Sequence, residues 1–119
     1  MKALWAKRRS KTNMTTTTQQ ITVRDRLALA LDVPSLDEAL RLAKPVAPHF
    51  GVTKVGLQLY TSSGPAAVET MLGEGFRVFL DLKLHDIPNT MRGAIRSARE
   101  LDVRLLTVHA GSGIDHLRA

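Results

Sequence analysis

Four apolar runs, each carrying a polar residue at a matching point, recur along this chain at nearly even intervals. They are LALALDV at 27–33, VTKVGLQL at 52–59, RVFLDLKL at 77–84 and RLLTVHA at 104–110. Asp32, Lys54, Asp81 and His109 hold corresponding places in them, separated by 22, 27 and 28 residues. Such intervals leave room for one helix between successive parallel strands, the βα repeat. Parallel strands are covered on both faces, which accounts for runs that are apolar almost throughout.

The intervening segments read as helices. Ser35 with Glu38 three residues later forms a capping box, and Leu36, Ala39, Leu40 and Ala43 then recur at helical spacing over 35–43. Pro45 and Pro48 are expected to disturb the end of that helix. Gly64-Pro65 marks a turn, and 66–75 is predicted helical until Gly73 and Gly75 stop it. Asn89 is predicted to cap a helix over roughly 90–101. The order is β-α-β-α-β-α-β, followed by Gly111-Ser112-Gly113 and the start of a further element.

Two α/β architectures have this order. One is a small open doubly wound sheet; the other is the first half of a (β/α)₈ barrel, whose full length is typically about 250 residues. A polar residue near the C-terminal end of every strand points to a site assembled from several strands, which favours the barrel. The expectation is therefore a TIM barrel represented by about its first four βα units, over residues 23–119.

Composition narrows the function classes. The 119 residues include no cysteine, which excludes disulfides, thiolate metal sites and a thiol nucleophile, and suits a reducing compartment. No apolar run approaches the roughly 20 residues that span a bilayer. The net charge of +6 suggests nucleic-acid binding only until it is located. Residues 1–20 hold five basic residues and no acid, whereas the remainder holds 12 basic and 11 acidic residues. The excess belongs to a tail. Residues 1–22, basic and Thr-rich, are expected to be a disordered leader to which Trp5 adds no core, with Met14 a possible start. A transit peptide and a nucleic-acid or membrane-surface arm are the alternatives for it.

The densest chemistry lies in DLKLHDIPNT, residues 81–90. Side chains alternate across a strand, so Phe79, Asp81 and Lys83 share one face, and Leu80, Leu82 and Leu84 the other. With the leucines under the helices, Asp81 and Lys83 face the barrel interior near its mouth. Asp86 lies just beyond, and Ile87-Pro88 fixes an extended exit. The plain structural alternative is an ion pair that closes a strand end. Asp32 and Lys54 at matching strand ends weigh against it, because alternating acids and lysines would hold a lysine cationic and aim it, as a general acid requires.

DLKLHDIPNT resembles the signature of the orotidine 5′-phosphate decarboxylase family. LALALD at 27–32, TKVGLQL at 53–59 and TVHA at 107–110 are similar to that family's first, second and fourth strands, in order, so the likeness covers about residues 25–119. It implies conversion of orotidine 5′-phosphate to UMP in the cytoplasm, with neither cofactor nor metal. It implies Lys83 as proton donor to C6 of the pyrimidine, Asp81 beside the substrate carboxylate, Lys54 linking the ribose to the charges, and Asp32 on the ribose hydroxyls. It also implies a homodimer in which Asp86 reaches the partner's site, lined there by Ile87 and Thr90. Nucleic acid and membrane are not expected partners. The family's phosphate-binding arginine and closing loop have no counterpart in these residues, so the chain alone is expected to be an inactive N-terminal half.

Three features have plainer readings. His85 is expected to serve structure at the strand end, His109 to pack or support the site, and Gly111-Ser112-Gly113 to make a tight βα turn rather than a phosphate cradle. Two rivals stand beside the decarboxylase. One is a magnesium-dependent sister, a hexulose-phosphate synthase or keto-gulonate-phosphate decarboxylase, which shares the acid–lysine core but not HDIPNT. The other is a non-enzymatic half-barrel fragment or a binding module acting through its basic tail.

Overall fold

The computed structural model describes residues 21–119. The expectations placed on Trp5, Met14 and most of the leader lie outside the described residues. A single 3₁₀ turn at Arg24–Arg26 leads into β1 (Ala28–Leu31), α1 (Leu36–Val46), β2 (Val52–Gly56), α2 (Leu57–Ser63), α3 (Pro65–Gly73), β3 (Arg77–Leu84), α4 (Pro88–Glu100), β4 (Leu105–Val108) and α5 (Ile114–Arg118). All strand pairs are parallel and the sheet order is β1-β2-β3-β4. Each connection therefore steps the same way round, with no reversal among the described strands. Consistent right-handed crossovers then put the helices on one face, as in a barrel wall and unlike a doubly wound sheet. The described chain forms four βα units of a (β/α)₈ barrel.

Register makes the two faces distinct. Leu29, Thr53 and Val78 align in one row, and Leu31, Val55, Leu80 and Leu106 in the next row on the same face. Most of these side chains are buried, against Ala39 and Ala43 of α1, Leu59 of α2 and Ala67, Val68 and Met71 of α3. The opposite face presents Ala30, Lys54, Phe79 and Leu105, none of them fully buried. Burial on both faces was the expectation for these strands. In the described residues helices cover only one, and the other is the interior wall of the barrel.

β3 coincides with its predicted span, and several other boundaries move for local reasons. The 52–59 run stops being a strand at Gly56, and Leu57–Ser63 is helical. β1 and β4 are shorter than their apolar runs, so Asp32 and His109 fall just past them. α1 runs through Pro45 to Val46. α3 starts at Pro65, which occupies the first turn, where a missing N–H costs nothing. Pro88 does the same for α4, so Ile87 rather than Asn89 holds the N-cap position. Between α2 and α3 the backbone takes φ 60° and ψ −149° at Gly64, a region closed to residues with a Cβ.

Candidate active site

The row above Lys54 and Phe79 holds the chemistry. Gly56 pairs with Asp81, Asp32 follows β1 immediately, and Thr107 stands in β4 beside them. A Cβ at Gly56 would lie 2.7 Å from Asp32 Oδ1, so any larger residue there would displace that carboxylate. Bare backbone on β2 thus gives the Asp32 carboxylate the space next to Lys54.

Four charges form a chain across three strands. Lys54 Nζ donates to Asp32 Oδ2 at 3.2 Å and lies 3.7 Å from Asp81 Oδ2. Lys83 Nζ donates to the same Asp81 Oδ2 at 2.8 Å. The other oxygen, Asp81 Oδ1, accepts from the Thr107 hydroxyl at 2.8 Å. Exposure is graded: the side chain of Asp81 is 10% exposed, that of Lys54 23% and that of Lys83 58%. The buried carboxylate anchors the arrangement and the outer ammonium reaches solvent. Asp81 is held below the ordinary carboxylate range, first by the hydrogen bond from Lys83 and next by that from Thr107. Burial opposes this, and the positive charges of Lys83 and Lys54 add to it. Asp81 is therefore an anion under all ordinary conditions, and it holds both lysines in place.

The strand is not regular here. Leu80 pairs with Leu106 and Leu84 with Val108, so residues 81–83 of β3 stand opposite the single residue Thr107. Lys83 takes φ 51° within this bulge. Simple alternation, from which Asp81 and Lys83 were expected to share a face, does not hold through the bulge. Their charged ends meet nonetheless.

The remaining predicted residues lie outside the charge chain. Asp86 is exposed, its Oδ1 accepts from the Ile87 backbone N–H at 2.7 Å, and among the described residues it makes no ion pair. Ile87 is 66% exposed. Asp86 and Thr90 share with Lys83 the wall of a shallow cavity of about 260 Å³. His85 bonds to Ser112 of the Gly111-Ser112-Gly113 turn, and its ring lies 4.6 Å from that of His109. His116 lies edge-on to His85 and is buried. Neither of its ring nitrogens has a partner among the described residues. Sequence reasoning missed Thr107, Gly56 and His116. Thr107 and Gly56 had a signal, lying in the quoted TVHA and TKVGLQL segments; His116 had none.

Comparison with known proteins identifies the family of the chain. The family model described as "Orotidine 5'-phosphate decarboxylase / HUMPS family" matches residues 25–119. Three curated proteins named orotidine 5′-phosphate decarboxylase are similar. The one from Anaeromyxobacter dehalogenans is 52% identical over 80% of this chain. That from Syntrophomonas wolfei is 50% identical over 79%, and that from Thermobifida fusca 52% over 78%. The chain spans about two fifths of their length, 42%, 39% and 40% respectively. The crystal structure of an uncharacterized conserved protein from Geobacillus kaustophilus superposes with a TM-score of 0.71 at 42% identity, covering 76% of this chain and 42% of that one.

Proposed function

The chain belongs to the orotidine 5′-phosphate decarboxylase / HUMPS family, and we propose that it supplies the catalytic charges of an orotidine 5′-phosphate decarboxylase. The observation that carries this reading is one buried carboxylate, Asp81, shared by two lysines of which Lys83 projects outward. In the proposed reaction the C6 carboxylate of the substrate lies beside Asp81, where like charge disfavours it. Breaking the C6–CO₂ bond leaves its electron pair on C6. Lys83 stabilises that pair electrostatically, then gives C6 a proton, and UMP results. Charge fixed in advance in a site of restricted water is commonly the largest catalytic contribution. In this assignment Lys54 joins the ribose to the charges and Asp32 binds its hydroxyls.

Asp86, Ile87 and Thr90 are assigned to the site of a partner subunit in a homodimer. Support for this comes from the exposure of Asp86 and Ile87, and from Asp86 having no ion pair among the described residues. A cytoplasmic setting suits the conversion of one free nucleotide into another. No described helix is long and apolar enough to cross a membrane. Residues 23–119 are read as the N-terminal half of the barrel domain and 1–22 as a leader. The magnesium-dependent sister reading has less support, because the relatives near half identity are orotidine 5′-phosphate decarboxylases.

The test is to mix the full chain with a separately produced C-terminal half of the Anaeromyxobacter dehalogenans relative and follow UMP formation. Barrels divide in surface βα segments, where a chain break is tolerated best. Turnover in the mixture and none from the chain alone is the expected result. A stable complex that makes no UMP would overturn the reading, and magnesium-dependent turnover of a sugar phosphate would replace it.

A further inference from the structure

Thr107 is placed where β3 is least regular. Between the pairs Leu80–Leu106 and Leu84–Val108, three residues of β3 face it alone. A three-against-one stretch leaves a parallel ladder short of partners, and the lost bonds must be replaced. Thr107 replaces them with its side chain. The Lys83 backbone N–H donates to Thr107 Oγ1 at 2.8 Å, and the same hydroxyl donates to Asp81 Oδ1 at 2.8 Å. One group thus accepts from the backbone of the lysine and donates to the carboxylate of the aspartate.

Both contacts have consequences for the Lys83 ammonium. A lysine with φ 51° is in a conformation that residues bearing a Cβ avoid. It persists only where its surroundings hold it. The hydrogen bond to Thr107 holds its N–H, while the ion pair to Asp81 holds its Nζ. Asp81 in turn presents Oδ2 to Lys83 and Lys54 because Oδ1 is occupied by Thr107. Rotation of that carboxylate would break the hydroxyl bond together with the registration of both lysines.

Resting on the decarboxylase reading, we infer that Thr107 is a positioning residue for the reaction: its hydroxyl locks the 81–83 bulge and the Asp81 carboxylate together and thereby fixes where the Lys83 ammonium stands. In this role the residue acts through the Lys83 backbone and the Asp81 carboxylate. Its effect is on geometry at the reacting atom, so it belongs to turnover and not to substrate affinity.

The experiment compares Thr107→Val, which keeps shape and strand preference but lacks the hydroxyl, with Thr107→Ser, which keeps the hydroxyl. In the complex with the relative's C-terminal half, Thr107→Val is expected to lower kcat about 10-fold or more, since small displacements at a reacting centre are costly. KM should stay nearly unchanged, and Thr107→Ser should recover most of the loss. In the full chain, the Asp81 carboxyl followed by carbon NMR should titrate higher in Thr107→Val and return toward its native position in Thr107→Ser. If Thr107→Val does not fold, Thr107→Ala, which also lacks the hydroxyl and adds no bulk, provides the same contrast. Unmoved Asp81 titration and unmoved kcat in the hydroxyl-free variants would overturn the inference, as would a serine variant that behaves like the valine one. The two readings fail separately. A shifted Asp81 titration with no UMP from the unsubstituted complex would sustain the lock and remove the decarboxylase. Normal turnover with an insensitive Asp81 would do the reverse.

Discussion

The same sheet carries ion pairs at both ends, and they are fastened differently. At the N-terminal end, Arg77 Nη2 meets Asp25 Oδ1 at 2.6 Å, and Arg77 Nε donates to the Gly51 carbonyl at 3.4 Å. Asp25 Oδ2 accepts from both the backbone and the hydroxyl of Thr22. The Arg77 and Gly51 N–H groups complete this latch through the Gly51 and Arg24 carbonyls. One acid meets one base, and the remaining bonds go to nearby backbone and to the Thr22 hydroxyl. At the C-terminal end, one buried acid serves two lysines and a hydroxyl, and the outer lysine remains largely open to solvent. A closed one-to-one pair joins strand ends. A shared carboxylate with an outward cation leaves that cation's outer side open to another group. This division matches the general placement of barrel chemistry at the C-terminal ends of the strands.

The largest effect that separates the two ends comes from Lys83. In the complemented complex, Lys83→Ala should lower turnover by about 10³-fold or more, the scale of losing one main electrostatic group. Nucleotide affinity should fall much less. Thermal stability should fall only modestly, because Asp81 loses its bond from Lys83 but keeps Thr107 and Lys54. Turnover within a few-fold of normal would remove Lys83 from its assigned role and make the C-terminal network a second latch.

That contrast also explains how much was legible in the sequence. The four runs and their spacing announced parallel βα units because strand and helix periods differ plainly over such lengths. Asp32, Lys54 and Asp81 were legible from residue type and strand position; Lys83 was named from an alternation that the bulge breaks, although its charged end still meets Asp81. The run 52–59 misled because LQL suits a buried strand and a helix equally, and Gly56 meets its neighbour Asp32, far away in sequence, only in the fold. Thr107 was invisible as a partner for a similar reason. The bulge that gives it three opposing residues is a property of how β3 and β4 pair, which neither strand's sequence states alone. His116 has no helical or strand pattern to announce it, and its burial comes from a turn that brings α5 back beside His85.

An intermediate effect tests whether the C-terminal network is completed from outside the subunit. If Asp86 serves the partner's site, Lys83→Ala and Asp86→Asn should fail separately and recover together. In a freely exchanging equal mixture half the dimers are mixed and each has one intact site, so activity should return to about a quarter of normal. No recovery despite demonstrated exchange would confine Asp86 to its own subunit, where its contact is the Ile87 N–H. The N-terminal latch, by contrast, closes within the chain, so no comparable rescue should exist for Arg77.

The smallest effect concerns acid, where the two ends should behave alike. Asp25 and Asp81 are both held below the ordinary carboxylate range. For Asp25 the hydrogen bonds from Thr22 come first and Arg77 contributes less. For Asp81 the bond from Lys83 comes first. A carboxyl whose value is lowered on folding binds fewer protons in the folded state than in the unfolded one. Its contribution is complete above the unfolded value and is lost as pH falls through the lowered folded one. Melting temperature should therefore hold steady near neutrality and decline only once pH drops below the usual aspartate range. Arg77→Met should lower the melting temperature by a few degrees at neutral pH, with turnover unchanged because the latch lies at the opposite end of the sheet. The acid-induced decline should become only slightly shallower, since Thr22 still holds Asp25 low. Circular dichroism melts across pH, with turnover measured alongside, decide this. A large loss of turnover in Arg77→Met at full folding would show that the two ends are coupled, and the division between latch and site would fall.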